Sequence, residues 1–284
     1  MSDKVVLVII DGLGFETAIA NCGYLESLVA GCKARRWRMR TALPTLSVPL
    51  YETLHCGLEP HVHGITSNDH ARASTCEHVF ALARRHGRRT GAVASYSFSE
   101  LYNGVPYDPI ADQEVDDDNR MIQHGRFFTT HGKAKFNLCL WSEADLMTQA
   151  SIMIERRAPD YLLVHSESCD AVGHKYGCES PEYQTQSWLV DNQLAQHAPR
   201  WRERGYRVLV TADHGMNSFG HHGGTTDDVR DVPFYDLGHD VGGESGVIVS
   251  QLAVAPTILA LMGLPIPAAM LEPPLVAADS KLAV

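Results

Sequence analysis

Apolar runs that end in polar residues recur along the chain. "KVVLVIIDG" (4–12) is continuously apolar from Val5 to Ile10 and then stops at Asp-Gly. That is the pattern of a central parallel strand, buried on both faces, with a polar residue at its carboxyl end. "GAVASY" (91–96) and "DYLLVHSES" (160–168) have the same form, and "YRVLVTADHG" (206–215) repeats it most fully. Helical patterns fall between them. One is predicted over about 181–200, with Pro181 in its first turn and Gly205 beyond its end. Others are predicted over about 49–56, after Pro49, and about 251–262, stopping at Gly263. Strands alternating with helices predict an α/β fold with a mostly parallel central sheet flanked by helices. A length of 284 residues accommodates this as a single catalytic domain, 1–284.

The stretch 97–159 breaks the rhythm with "EVDDDNR" and "RFFTTHGKAK". It reads as an insertion, partly helical, that is either a small cap over the functional edge of the sheet or a plain surface excursion. The tail after Pro265 reads as irregular.

Composition narrows the class. Hydrophobic residues are 44% and charged residues 20%, as in soluble globular proteins. A formal net charge of −10 speaks against a nucleic-acid partner. It leaves room for a small anionic substrate, because a bound metal reverses the local field. No apolar run approaches the ~18 residues needed to span a bilayer, so no membrane partner is expected. The first residues run straight into a strand without a signal-peptide core or cleavage pattern, and a cytoplasmic location is expected. The seven cysteines are odd in number and form no CxxC, which fits that compartment and suggests neither a disulfide framework nor a zinc knuckle.

In open α/β sheets ligands sit at the carboxyl ends of strands. Here Asp11, Asp170 and the pair Asp213–His214 fall at or just after such ends. Asp170 and His174 form a DxxxH pair, and His221–His222 precede Gly223–Gly224. Each has an ordinary explanation alone: a helix cap, a turn, a solvated histidine. Jointly they make a set of carboxylates and imidazoles that suits zinc, with manganese or iron as alternatives. In "LPTLSVP" (43–49), Pro44 and Pro49 bracket Thr45 and Ser47. Proline restricts its own φ and the residue before it, so this stretch reads as a stiff loop presenting a hydroxyl.

"VVLVIIDG", "PTLSVPLYETLHCGLEPHVHGITSN", "DAVGH", "VTADHGM", "HHGG" and "VAPTILALMGL" together resemble the alkaline phosphatase superfamily, and within it the nucleotide pyrophosphatase/phosphodiesterase branch. The resemblance spans both ends and most of the middle, but no motif within 97–159. It implies an alkaline phosphatase-like fold and two divalent ions, zinc by preference. One ion would take Asp11, Asp213 and His214. The other would take Asp170, His174 and one histidine of the doublet, His222 by its place before a glycine. The resemblance makes Ser47, not Thr45, the nucleophile and metal-facing hydroxyl. Asn68, in "HGITSN", would bind a phosphoryl oxygen. The implied activity is hydrolysis of a small phosphorylated substrate through a phosphoseryl intermediate, as in a phosphodiesterase or nucleotide pyrophosphatase.

Two divalent cations balance three aspartates and a Ser47 alkoxide, which leans toward a diester over a doubly charged monoester. Val48 stands where nucleotide-hydrolysing relatives carry an aromatic residue, and Leu50 where they often carry asparagine. A base-stacking platform is therefore not expected there. Tyr102, Tyr107, Phe127 and Phe128 could stand in, although core packing is the expected role for them. Phosphonoacetate hydrolase, phosphomonoesterase and phosphosugar mutase are alternatives within the superfamily. The sulfatase branch fits less well, because "SVPLY" lacks its arginine. A non-catalytic metal-binding module is the alternative from another class.

Overall fold

The computed structural model describes residues 4–69, 72–129, 141–239 and 241–276. Its nine strands are β1 (Lys4–Ile10), β2 (Arg35–Arg40), β3 (Thr90–Ser95), β4 (Glu114–Asp116), β5 (His124–Phe128), β6 (Tyr161–Ser166), β7 (Tyr206–Thr211), β8 (Asp231–Leu237) and β9 (Gly243–Ser250). They form one sheet in the order β4-β5-β3-β6-β1-β7-β8-β2-β9. The middle, β5-β3-β6-β1-β7, is parallel throughout. Antiparallel pairs occur at β4–β5, β7–β8 and β8–β2.

The four predicted strands are β1, β3, β6 and β7. β1 lies at the centre, with Val5 to Ile10 wholly buried. Helices cover both its faces, which is why it shows no polar alternation. Its register matters most: Ile10 pairs with Ser166 and Ile9 with Thr211. The carboxyl ends of β6, β1 and β7 are therefore level, and whatever follows them emerges along one edge.

β2 escaped prediction because "RRWRMR" looks like a basic surface segment. Trp37 and Met39 are buried, Arg35 donates to the Gly242 carbonyl, and Arg36, Arg38 and Arg40 are matched to acids. Arg36 pairs with Glu26, Arg38 with Glu16 and Asp231, and Arg40 with Asp227 and Asp231. The helix predicted over 181–200 runs Pro181–Glu203, opened by Ser180, whose hydroxyl accepts the Tyr183 N–H. The third predicted helix is a 3₁₀ turn, Gln251–Ala253, followed by Val254–Leu261.

The described part of 97–159 is woven into the sheet. β5 pairs with β3, and the helix Glu143–Arg157 buries Leu146, Met147, Ala150, Met153 and Ile154. Residues 130–140, inside the stretch read as a candidate cap, lie outside the described residues. Tyr102, Phe127 and Phe128 are core residues, and Tyr107 packs against that core. Among the described residues no helix is long and apolar enough to cross a membrane.

One core feature has a measurable effect. His55 is fully buried and stacks on Phe80 at 5.2 Å. Its Nδ1 donates to the Tyr51 carbonyl at 2.7 Å, and the Tyr161 hydroxyl donates to its Nε2 at 3.0 Å. Burial pushes its pKa from 6.5 down to about 4. Above pH 6.5 both folded and unfolded chains hold this group neutral. As pH falls, the unfolded chain takes up the proton first, so stability drops until about pH 4. This one group should cost about 2 kcal/mol of unfolding free energy between pH 7 and pH 5. Urea denaturation at the two pH values should show a His55→Leu variant losing less than the parent by about that amount; equal losses would contradict it.

Candidate metal centre

The site assembles where β1, β6 and β7 end. Asp11 follows β1 directly, and Asp213 and His214 follow β7 after one intervening residue. Asp170 and His174 sit on the helix Ser168–Tyr176, one turn apart on one face. His222 arrives on the loop between β7 and β8. Two glycines permit the approach. Gly12 has φ +74°, and a Cβ there would lie 2.8 Å from Asp170 Cα. Gly220 has φ +76°, and a Cβ there would lie 2.7 Å from the His174 carbonyl oxygen. Both positions need glycine for conformation and for space.

Ser47 is not in a loop, as its flanking prolines suggested. It is the first residue of the helix Ser47–Cys56, after an extended Leu46. Pro49 falls in the first turn, where a helix needs no N–H from it. The Ser47 hydroxyl therefore stands at the positive end of a helix dipole.

Two groups of ligand-capable side chains result. Asp11, Asp213 and His214 are buried and present atoms within 4.8 Å of one another; so do Asp170, His174 and His222. The groups are adjacent, because the rings of His214 and His222 stack at 3.8 Å. His222, not the exposed His221, belongs to the second group; the backbone of His221 is tied to Asn217.

Backbone carbonyls set the tautomer of all three histidines. Nδ1 donates to Gly220 from His174 (2.8 Å), to Gly215 from His214 (3.0 Å) and to Thr45 from His222 (2.7 Å). Each ring thus turns an Nε2 lone pair inward. Two of these, on His174 and His222, face each other at 3.1 Å with no proton to share. One oxygen of every aspartate also lacks a hydrogen-bond partner: Asp11 Oδ1, Asp170 Oδ1 and Asp213 Oδ2. Buried acceptors pointed at one another are costly unless a cation lies among them. The residues present fit divalent ions, and their mixture of imidazole and carboxylate fits zinc.

The electrostatics agree. Burial raises Asp170 and Asp213 well above the usual carboxylate range, and the Asp11 charge raises them further. Burial also raises Asp11, but the His165 hydrogen bond, the neighbouring imidazoles of His214 and His165 and the Tyr51 hydroxyl outweigh it and hold Asp11 low. Burial, then the neighbouring His222, pushes His214 down to about 3, so it remains a neutral donor at ordinary pH.

Two contributors were missed in the sequence. The Tyr51 hydroxyl donates to Asp11 Oδ2, and His165 Nε2 lies 3.2 Å from the same oxygen. They occupy Oδ2 and leave Oδ1 for the cluster. The Gly12 N–H does the same for Asp213 by bonding Oδ1 at 3.2 Å. A signal was there: a histidine within an otherwise apolar strand needs a partner, and Tyr51 lies one helical turn after Ser47.

The hydroxyls divide their work. Thr45 Oγ1 donates to the Gly224 carbonyl at 3.0 Å and accepts the Gly223 N–H at 2.8 Å, fixing the loop that carries His222. Ser47 Oγ lies 3.2 Å from His214 Nε2. Asn68 Oδ1 accepts the Val48 N–H at 3.0 Å, which sets its amide beside the start of the Ser47 helix. Lys175 lies over the Tyr176 ring, 4.9 Å from its centroid.

Residues 5–232 match the family of type I phosphodiesterases and nucleotide pyrophosphatases. The catalytic subunit of GPI ethanolamine phosphate transferase 3 from Mus musculus is 25% identical over 295 residues, covering 93% of this chain and 24% of its own. The 2,3-bisphosphoglycerate-independent phosphoglycerate mutase of Wolinella succinogenes is 28% identical over 151 residues, covering 49% of this chain and 28% of its own. The chain thus spans about a quarter of the length of these relatives. Human ectonucleotide pyrophosphatase / phosphodiesterase 5 superposes with a TM-score of 0.72 at 13% identity, over 93% of this chain and 96% of that one. The phosphonate monoester hydrolase of Silicibacter pomeroyi superposes with a TM-score of 0.65 at 13% identity, over 96% and 76%. These superpositions establish a shared alkaline phosphatase-like fold.

Metal analysis after zinc loading and dialysis should find two ions per chain. His222→Ala should lose one and His221→Ala neither. Tyr51→Phe should keep the fold but weaken one of the two zinc affinities about 10- to 100-fold in chelator competition. A single ion at saturation, or His221→Ala and His222→Ala behaving alike, would refute the assignment.

Proposed function

Because the chain belongs to the type I phosphodiesterase / nucleotide pyrophosphatase family, whose superfamily members transfer or hydrolyse phosphoesters, we propose that it hydrolyses a phosphodiester with Ser47 as nucleophile. Asp11, Asp213 and His214 would hold one divalent ion and Asp170, His174 and His222 the other; bound there, such ions supply Lewis acidity to phosphoryl oxygens and make a hydroxyl acidic. The observation that carries the reading is Ser47 Oγ, at a helix N-terminus and 3.2 Å from a histidine of the first group.

The protein's own residues account for the rest. Ser47 gives its Oγ proton to solvent and Oγ bonds to phosphorus, while the opposite P–O ester bond breaks and its oxygen leaves as an alkoxide that water protonates. The helix N-terminus favours negative charge at Oγ and on the non-bridging oxygens. Asn68, braced through Val48, offers its amide to one of those oxygens. Water then cleaves the phosphoserine ester and restores the hydroxyl. Asp11 Oδ2 accepts from the Tyr51 hydroxyl and lies 3.2 Å from His165 Nε2, and Asp213 Oδ1 accepts the Gly12 N–H. Two divalent ions would bring this site near neutrality, which favours a singly charged diester. Val48 offers no aromatic face beside the serine, so a nucleobase gains no stacking there.

The names of the curated relatives support a second reading, in which an alcohol takes the phosphoryl group from Ser47 in place of water. Both begin with the same attack. Metal-loaded protein should turn over bis(p-nitrophenyl) phosphate faster than p-nitrophenyl phosphate. Ser47→Ala should lower that rate by several orders of magnitude while still binding metal. Turnover that survives in Ser47→Ala would defeat the proposal. An alcohol phosphodiester formed in place of free phosphate monoester, when an alcohol is added, would select the transfer reading.

A further inference from the structure

Beside the cluster, the ends of β5 and β6 enclose a narrow recess lined by Phe128, Trp141, Glu143, Ser166, Glu167 and Ser168. It has room for one water-sized group. It adjoins the site directly. The Ser166 carbonyl accepts the Asp11 N–H at 2.8 Å, and Ser168 shares the first helical turn with Asp170.

Its chemistry is unusual. Glu143 is buried, with 9% of its surface exposed. One of its oxygens, Oε1, accepts the Ser166 hydroxyl at 2.7 Å. The other, Oε2, makes no hydrogen bond of ordinary geometry, although the Ser168 hydroxyl is near enough to Glu143 to favour its charged form. Ser166 Oγ and Ser168 Oγ lie 3.2 Å apart, and Phe128 and Trp141 form an aromatic wall with ring centroids 5.0 Å apart. A buried acceptor, further oxygens and aromatic faces make a receptor for a cation that carries donors. A primary ammonium has three donors and the size of a water. A trimethylammonium has no donor and is too large, and a sugar or nucleobase is larger still.

We propose that this recess seats the primary ammonium of an aminoalkyl phosphodiester, held by Glu143 Oε2 and the oxygens of Ser166 and Ser168, while its phosphorus lies at Ser47. This rests on Ser47 being the nucleophile and names the substrate class for that site. The same headgroup chemistry occurs in a free diester and in a lipid.

The test compares 2-aminoethyl, ethyl and 2-(trimethylammonio)ethyl esters of p-nitrophenyl phosphate on metal-loaded protein. The aminoethyl ester should exceed the ethyl ester in kcat/KM by about 10- to 100-fold, chiefly through KM, and should exceed the trimethylammonio ester. Glu143→Gln, which keeps the acceptor for Ser166, should bring the first ratio near one, and Trp141→Leu should lower it. Thermal unfolding checks that both variants are folded. Calorimetry with 2-aminoethylphosphonate and ethylphosphonate reads the same preference without turnover. Equal binding of the two phosphonates, a preference for the trimethylammonio ester, or a ratio unmoved by Glu143→Gln overturns the proposal. Failure to cleave any ester, bis(p-nitrophenyl) phosphate included, counts instead against Ser47, and the phosphonate comparison then decides the recess. Glycerophosphoethanolamine in solution and phosphatidylethanolamine in equimolar phosphatidylcholine vesicles separate the two sources. Cleavage of either, lost in Glu143→Gln, supports the proposal; cleavage of neither by protein active on bis(p-nitrophenyl) phosphate overturns it.

Discussion

Three carboxylates packed together at the end of a parallel sheet, two of them fully buried, are the constraint around which this molecule is organised. Asp11, Asp170 and Asp213 each keep one oxygen without a hydrogen-bond partner, and two of them are shifted upward by burial and by the charge of Asp11. Such a group would not persist in a loosely held loop, because repulsion and the lost hydration would push it apart. It persists because the backbone leaves little choice. The level ends of β6, β1 and β7 put Asp11 and Asp213 side by side, and Gly12 lets the Asp170 helix close on them.

The same logic governs what surrounds them. Every histidine of the cluster gives its Nδ1 proton to a main-chain carbonyl, so none can rotate or change tautomer without leaving a carbonyl unpaired. Tyr51 and His165 fix which oxygen of Asp11 faces inward, and Gly12 does so for Asp213. The groups are thus set in place before any cation or ester arrives. Electrostatic stabilisation is most effective in a site that needs little rearrangement.

How much of this was legible depended on whether a residue's role was local. β1, β6 and β7 were plain because burial on both faces leaves an unbroken apolar run. Asp11, Asp213 and His214 were plain because they punctuate those runs. β2 was hidden because its arginines are neutralised by acids distant in sequence, Glu26, Asp227 and Asp231 among them, and no local pattern announces such pairs. Ser47 was read as part of a loop and stands instead at the start of a helix. Prolines on both sides suggested a loop, although a proline in a first turn is compatible with a helix, and the dipole at Ser47 follows from that. His222 was preferred over His221 on resemblance alone; in the structure the Thr45 carbonyl gives the physical reason, since it holds the His222 ring inward.

The edge of the sheet also divides by task. On the β1–β7 side Asp11, Asp213 and His214 form the cluster. On the β8–β2 side, arginines and acids are paired with each other. In our proposal, selection among organic groups falls to the β5–β3–β6 side, where aromatic rings and carboxylates meet. A phosphoryl site cannot by itself distinguish one ester from another, because all present the same oxygens. Discrimination must come from groups that contact the remainder of the substrate, and a buried carboxylate oxygen with an unused lone pair is the kind of group that rejects a ligand lacking a donor. On this proposal, a change confined to the recess would alter which ester is accepted and leave the ligand positions around Asp11 untouched.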